Sequence, residues 1–501
     1  MGEVPENRYQ ILSEIARRRG LFWFSYEIYG GVKGLITLGP IGALIKRKLE
    51  DAWIRWFVHY EGYQLIESPV IGPEKVYIAS GHVESFIDYV VECKKCGKKW
   101  RADHLISEAT GLNVEGLPPE ELEKIVKEKN VRCPSCKGEL GAISPFNLMF
   151  ETTIGPYSGN KGYCRPETAQ GIFTEFKRLY NLARGTLPFS TAQVGRVFRN
   201  EISPRQGPIR LREFTIMELE TFFDPKDSPP DISRILNIEL PILSEEEQRR
   251  GGEEIENIPV KELIRKNKVK TEWQVYYMVR SKQFLNKLGI KDNFLRFREK
   301  LPWERAHYAK QLYDLEVLLS RFGWIEIAGF AYRTDYDLSS HSRYSGEKFV
   351  IKRSDGSEFT PHVVEPSFGC ERLLYAVLEH SLRITKNRNI LSLPPFLAPY
   401  DAAVFPLLSR EPFVSHALSV FSLLRKEGLH VIYDDSGSIG RRYARVDEIG
   451  VPYAITIDGE TLENNSVTLR FRDTSEQIRI DIKHLSSKIK ELIDSSWKKT
   501  T

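Results

Sequence analysis

Two neighbouring segments concentrate the residue types that grip a nucleotide. They are Val197-Phe198-Arg199-Asn200-Glu201 and, after a short polar loop, Arg210-Leu211-Arg212-Glu213-Phe214-Thr215-Ile216-Met217-Glu218-Leu219-Glu220-Thr221-Phe222. Arginine forks onto phosphate, a phenylalanine ring stacks on a base, and carboxylates hold an ammonium group or a metal ion. The pattern predicts two strands joined by a turn containing Pro204, Gly207 and Pro208. Side chains alternate along a strand, so Arg199 and Glu201 are expected on one face. On the second strand Phe214, Glu218 and Glu220 share a face, while Met217, Leu219 and Phe223 occupy the other. A hairpin whose outer face merely carries solvated salt bridges has the same local pattern.

A second segment, Pro361-His362-Val363-Val364-Glu365-Pro366-Ser367-Phe368-Gly369-Cys370-Glu371-Arg372, reads as a strand running into a helix, with Arg372 in the first turn. A helix N-terminus attracts phosphate, and an arginine there adds to the attraction. Upstream, Leu38-Gly39-Pro40-Ile41-Gly42 opens a long helix, followed by a strand ending near Glu67-Ser68-Pro69. In this order the three segments resemble motifs 1, 2 and 3 of the class II aminoacyl-tRNA synthetases. The words Arg165-Pro166-Glu167-Thr168-Ala169-Gln170-Gly171, Glu365-Pro366-Ser367 and Ser438-Ile439-Gly440-Arg441-Arg442-Tyr443-Ala444-Arg445 are similar to those of the homodimeric glycyl-tRNA synthetase family. The likeness runs from about Tyr9 to about Ile482. Two positions depart from it. Glu371 precedes Arg372 where glycine or aspartate is usual, and Leu38 stands where a tyrosine commonly precedes Gly-Pro.

The resemblance implies an α+β fold, an antiparallel synthetase sheet flanked by helices, and the joining of glycine to tRNA(Gly) through a glycyl-adenylate. It gives Arg199 the α-phosphate of ATP and the amino-acid carboxylate, Arg210 the γ-phosphate, Phe214 the adenine stack, and Arg372 the ATP tail from the other side. Asn200, Glu201, Ile327 and Gly369 complete the ATP contacts, and Glu326 with Glu365 would hold Mg2+. Glycine offers no side chain to grip, so its ammonium and Cα fall to Glu167, Glu218 and Glu365, with Ser367 beside them and Arg333 buttressing the carboxylates. Arg101 is a further glycine-site candidate. Arg441 and Arg445, on one helical face, would meet the tRNA. Proline, threonine or histidine specificity, and a silent paralogue that only binds, are the alternatives. The acidic set speaks against the first and the ATP arginines against the second.

Two Cys-x-x-C words, Cys93/Cys96 and Cys133/Cys136, bracket residues 97–132 and form a set of four thiolates suited to structural Zn2+. Reduced free thiols are the alternative, and the helical stretch Pro118–Lys129 is expected to project between the pairs. The 501 residues, 41% hydrophobic and 28% charged, suit a globular protein of several domains. A net charge of +4 permits nucleic-acid binding without requiring it. No run is apolar enough to span a membrane, and Met1-Gly2-Glu3-Val4-Pro5-Glu6 has no leader pattern, so a cytoplasmic enzyme is the simplest expectation.

The expected organisation is catalytic sequence with motif 1 over 1–90, a zinc insertion over 91–140, and motif 2 over 141–223. A charged inserted subdomain with exposed loops follows over 224–301, then catalytic sequence with motif 3 over 302–392. An α/β anticodon-binding domain over 397–501 follows the proline-rich linker 393–399. A helix from Trp303 to Arg321 is expected to lead back to the sheet. The stripe Ile45, Leu49, Trp53, Trp56, Phe57 and Tyr60 fits a buried helix face, and by resemblance a dimer interface.

Overall fold

The computed structural model describes residues 8–498 apart from 113, 115, 157–158, 203, 205–206, 227–228 and 387. The leader reading of residues 1–6 and the breaker at Ser228 therefore lie outside the described residues.

A nine-stranded sheet carries the site. Its strands are β1 (Gln64–Ile66), β2 (Phe189–Phe198), β3 (Glu213–Phe223), β4 (Glu239–Leu243), β5 (Glu256–Pro259), β6 (Leu295–Glu299), β7 (Gln311–Leu319), β8 (Gly323–Thr334) and β9 (His362–Gly369). They lie in the order β5-β4-β6-β7-β8-β9-β3-β2-β1, antiparallel except for β1 with β2 and β4 with β6. Three helices pack on it: α1 (Pro40–Ile54), α2 (Glu272–Lys287) and α3 (Cys370–Ser381). Met217, Leu219, Phe330, Val364 and Phe368 face the helices and join one apolar core with Trp53, Phe57 and Phe284. The Phe57 and Phe368 rings stand 5.3 Å apart. Alternation then sends Phe214, Glu218, Glu220, Glu365, Ser367 and Arg333 to the opposite face.

Three expectations need correction and one is borne out. The Trp303–Arg321 helix is instead a loop over 300–310 followed by β7, because Tyr313, Leu315, Val317 and Leu319 recur with period two and are all buried. The 224–301 segment does not stand apart from the sheet as an inserted subdomain. Its strands β4, β5 and β6 extend the catalytic sheet, and α2 buries Val275, Tyr277, Met278 and Val279 in the main core. Apart from the buried Asp224, Lys287 and Arg296, its charged residues lie on outer faces and conceal the alternating Leu240, Ile242, Leu295 and Phe297. The buried-face reading of the stripe from Ile45 to Tyr60 is borne out, since the chain's own sheet and α2 cover it and leave only Tyr60 substantially exposed. Finally β2 ends at Phe198, so loop geometry rather than strand alternation places Arg199 and Glu201.

Residues 87–147 form a separate small module, a three-stranded sheet of Ile87–Cys93, Lys99–Arg101 and Leu140–Asn147 with two short helices. The expected helix is present as Pro119–Glu128, but it does not project: it packs on the module, with Leu122 buried in its core and Glu123 accepting the Ile143 N–H at 2.9 Å. Beyond residue 400 a five-stranded mixed sheet with three main helices matches the strands expected there. This C-terminal domain is not tethered loosely, because Trp497 of its last helix packs 6.2 Å from Trp56 and 4.8 Å from Phe396.

Candidate active site

The crossing of β3, β9 and β8 brings distant words of the sequence into register. Glu218 lies opposite Ser367, and Ala331 opposite Glu365. A bulge in β8 between its pairings with Leu315 and Glu316 puts both Ile327 and Ala328 in the core and turns Glu326 outward. The result is a cleft whose lining includes Arg199, Glu201, Arg210, Phe214, Glu326, Ile327, Ser367, Gly369 and Arg372.

The arginines of this cleft are held by backbone carbonyls and acids that leave them facing it. Arg199 donates from Nε to the Pro166 carbonyl at 3.1 Å, and its guanidinium lies 5.3 Å from the Phe214 ring centroid. Arg210 pairs with Glu201 at 3.0 Å. Arg372, in the first turn of α3, donates to the Ile209 carbonyl at 2.9 Å and to the Glu326 carboxylate at 3.2 Å. Asn200 is not among the residues lining the cleft, and its backbone N–H donates to the Leu148 carbonyl at 2.6 Å. The departure at Glu371 has a local role. Its buried carboxylate accepts the Thr215 N–H at 2.7 Å and lies 3.4 Å from Arg196, fastening β3 to the start of α3.

Beside the cleft lies a buried acidic cluster. Arg333 reaches Asp337 with both Nε (2.6 Å) and Nη2 (2.8 Å), pairs closely with Glu365, and lies 3.5 Å from Glu167. Glu167 also accepts from Gln170 at 2.7 Å and faces His82 at 3.5 Å. Burial opposes its charge, yet His82 and Arg333 hold the Glu167 carboxyl well below the usual carboxylate range. Glu218 accepts the Thr168 N–H at 2.7 Å, the Thr168 hydroxyl, and the Ser367 hydroxyl at 2.8 Å. Burial and the neighbouring Glu167 charge raise its carboxyl. Ser367 thus belongs to both sites. Glu365 is committed to Arg333 and does not line the cleft, so of the two expected Mg2+ ligands only Glu326 faces it. Arg101 is forked onto Asp103 at 2.8 Å and lies 3.2 Å from Asp88, and the charge of the cleft residue Glu201 acts on it.

Several cluster members were missed from sequence: His82, Asp337 and Glu220. Glu220 is fully buried with neither oxygen hydrogen-bonded, and burial followed by the Glu365 charge pushes its carboxyl well above the normal range. A folded Glu220 therefore keeps a proton that an unfolded one loses above about pH 4.3, which costs stability as pH rises. Glu220→Gln is expected to melt higher than the parent at neutral pH, with the gap closing as pH falls towards about 4. Thermal melts across that range test this; a gap that widens on acidification would contradict it.

The four cysteines converge. Cys93 and Cys136 sulfurs are 3.4 Å apart, Cys96 and Cys133 3.8 Å, and all four lie within 4.8 Å of one another without disulfides. A zinc tetrahedron with 2.3 Å bonds has sulfur–sulfur edges of about 3.8 Å, so the set fits that ion. Gly138 is required there, because a Cβ would come within 2.7 Å of the Lys95 side chain and 3.1 Å of the Cys93 sulfur. Metal-replete protein is expected to carry about one zinc per chain, and Cys96→Ser to lose it and expose the 87–147 module to protease. Elemental analysis with limited proteolysis reads both outcomes.

In the C-terminal domain Arg441 is exposed on its helix, whereas Arg445 is held by Asp434 at 2.8 Å and the Ser436 carbonyl at 2.6 Å. The expected pair is therefore unequal, with Arg441 the freer cation.

Comparison with known proteins accounts for this arrangement. Residues 158–381 match the tRNA synthetase class II core domain (G, H, P, S and T), and residues 401–492 the anticodon binding domain. A glycine--tRNA ligase from Aeropyrum pernix is 45% identical, covering 98% of this chain and 97% of that protein. The chain belongs to the glycine--tRNA ligase family of class II aminoacyl-tRNA synthetases. Family members from Thermococcus gammatolerans (44% identical, 98% of this chain and 100% of that protein) and Methanocaldococcus jannaschii (40%, 97% and 99%) agree. The fold alone is shared with a prolyl-tRNA synthetase from Cryptosporidium parvum complexed with halofuginone and AMPPNP. That match has a TM-score of 0.58 at 15% identity, over 98% of this chain and 78% of that one. The expected α+β synthetase fold with its anticodon-binding domain is thus borne out. Among the described residues no helix is long and apolar enough to cross a membrane.

Proposed function

We propose that this enzyme activates glycine with ATP to glycyl-adenylate, releasing pyrophosphate, and then transfers glycine to tRNA(Gly), releasing AMP. The observation that carries this reading is Ser367, whose hydroxyl donates to Glu218, the carboxylate assigned to the glycine ammonium, while the same residue lines the arginine cleft. An amino acid held at the cluster would have its carboxylate directed at a phosphate held in the cleft.

Attack of that carboxylate on the α-phosphorus joins two anions, so the chain must supply positive charge and alignment more than acid–base chemistry. Arg199 would take the α-phosphate and the entering carboxylate, Arg210 and Arg372 the outer phosphates, and Phe214 the adenine. Mg2+, when bound, would be held from Glu326 and would neutralise phosphate charge. Glu167, Glu218 and Glu365 would take the glycine ammonium, whose charge would stabilise the ionised form of the Glu218 carboxyl that burial and Glu167 raise. Zinc would serve the 87–147 module structurally. Arg441 is the cation we assign to tRNA contact. The exposed Tyr26, Ile28 and Tyr29 of the 22–38 hairpin would be covered in a homodimer. The cytoplasm is the compartment this reading expects.

Pyrophosphate exchange tested with each of the twenty amino acids, followed by charging of tRNA, is the deciding experiment. Exchange is expected with glycine; exchange driven by proline or another amino acid instead overturns the assignment. Within this reading Glu218→Gln can keep its oxygen on the Thr168 donors and offer its amide to Ser367, so the fold survives while the charge is lost. Glycine kcat/KM should fall about ten- to a hundredfold, with the ATP KM nearly unchanged. Unchanged glycine kinetics would return Glu218 to a structural role.

A further inference from the structure

The carboxylates that receive an α-ammonium act alike on every amino acid, so they cannot tell glycine from alanine. A steric element must do so. The loop over 300–310 places one at the cluster. Arg305 ties the two ends of this loop together, donating to the Lys300 carbonyl at 3.0 Å and the Lys310 carbonyl at 3.1 Å, with Glu245 as a third partner at 2.7 Å. Glu304 accepts the Leu301 N–H at 2.9 Å and an Arg298 donor at 2.6 Å. His307 bonds the Ser80 carbonyl at 2.8 Å. Next to it Gly81 has φ +80°, and a Cβ there would meet His307 Nε2 and the Tyr336 hydroxyl, each at 2.9 Å. The loop therefore sits closely on the turn that delivers His82 to Glu167. It is a fixed structure with internal bonds of its own.

What it presents is Tyr308. The Arg333 guanidinium carbon lies over the Tyr308 ring, 3.5 Å from its centroid, and 5.0 Å from that of Phe173. After burial, the charges acting most strongly on the Tyr308 phenol are those of Glu365 and Glu167, with Glu218 also contributing. Its hydroxyl has no hydrogen-bond partner among the described residues. Tyr308 is half-buried whereas Glu167, Glu218, Glu365 and Arg333 are buried, and its ring covers the Arg333 guanidinium at the edge of the cluster.

Resting on the reading that this pocket takes glycine, we propose that Tyr308 is a specificity-determining residue. Its ring clamps Arg333 against the carboxylates and roofs the space into which any amino-acid side chain would extend. Its free hydroxyl is the contact left for the bound amino acid.

Tyr308→Ala and Tyr308→Phe in the full-length chain test this, through pyrophosphate-exchange kinetics with glycine, alanine and ATP varied in turn. Tyr308→Ala is expected to raise the glycine KM about tenfold or more, to leave the ATP KM within about twofold, and to raise alanine-over-glycine kcat/KM at least about tenfold. Tyr308→Phe keeps the ring, so it should keep the discrimination while weakening glycine binding a few-fold. An unchanged alanine-to-glycine ratio in Tyr308→Ala, or equal shifts in glycine and ATP parameters, overturns the assignment. If Tyr308→Ala fails to fold, loss of discrimination in Tyr308→Phe overturns it, because the ring alone is assigned that task. A parent enzyme that exchanges pyrophosphate with another amino acid but not with glycine sinks the glycine reading instead. Tyr308 is then judged by the same ratio between that amino acid and its next larger homologue.

Discussion

Arg333→Met is expected to destabilise the folded enzyme by about 3–5 kcal/mol and to remove measurable glycine-dependent pyrophosphate exchange. Arg333 is fully buried and is the shared cation of Asp337, Glu365 and Glu167. Methionine approximates its volume and stem but leaves those acids facing one another without an arginine in a dry site. Like charges so placed must take up protons or draw in water, and either response alters the surface that would receive an ammonium group. Arg333→Lys should recover part of the stability, since it returns the charge. It should recover little activity, because a single ammonium cannot serve Asp337 through two donors and still reach Glu365. Urea unfolding and exchange kinetics on the three proteins decide the matter. An Arg333→Met enzyme with parental stability would mean that the acids are already neutral, and the electrostatic account of the pocket would fail.

The reach of the sequence can be judged from these same residues. Phe214, Glu218 and Glu365 were legible because each sits in a strand whose alternation also sets its direction, and Arg199 and Arg372 because their motif words carry the resemblance. The four cysteines were legible because thiolate spacing is itself a geometric constraint. Asp337 was not, although it stands four residues from Arg333. The pair spans a strand-to-helix junction, where i,i+4 spacing carries no helical meaning. Glu220 was seen only as a face-mate of Glu218; that it lacks any partner depends on β9 and on the packing of other strands. Tyr308 was hidden by reading Trp303–Arg321 as one helix. Alternating buried residues in β7 include Asp314 and Glu316, and those charges blurred the period of two. The strands of 224–301 were masked in the same way, since their pairing with β6 and β7 is a long-range fact.

Arg199→Ala should act on the chemical step with much less effect on the fold. Its side chain is partly exposed, and its single bond to the Pro166 carbonyl and its approach to the Phe86 and Phe214 rings orient it without burying it. In the proposed reaction negative charge grows on the α-phosphate as the carboxylate closes in, and a donor aimed at that charge contributes more in the transition state than in the ground state. Loss of one such donor typically costs about 2.7–4 kcal/mol, so kcat for exchange should drop about a hundred- to a thousandfold while the glycine KM moves far less. Arg199→Lys should restore only a small part, because one ammonium cannot bridge a phosphate oxygen and a carboxylate as a planar fork does. The contrast with Arg333 is the sharper test. Arg333→Met should lose stability and amino-acid recognition together, whereas Arg199→Ala should melt within a few degrees of the parent and fail in turnover. An Arg199→Ala enzyme with near-parental kcat would place the α-phosphate elsewhere in the cleft, leaving Arg210 or Arg372 to be tried in its stead.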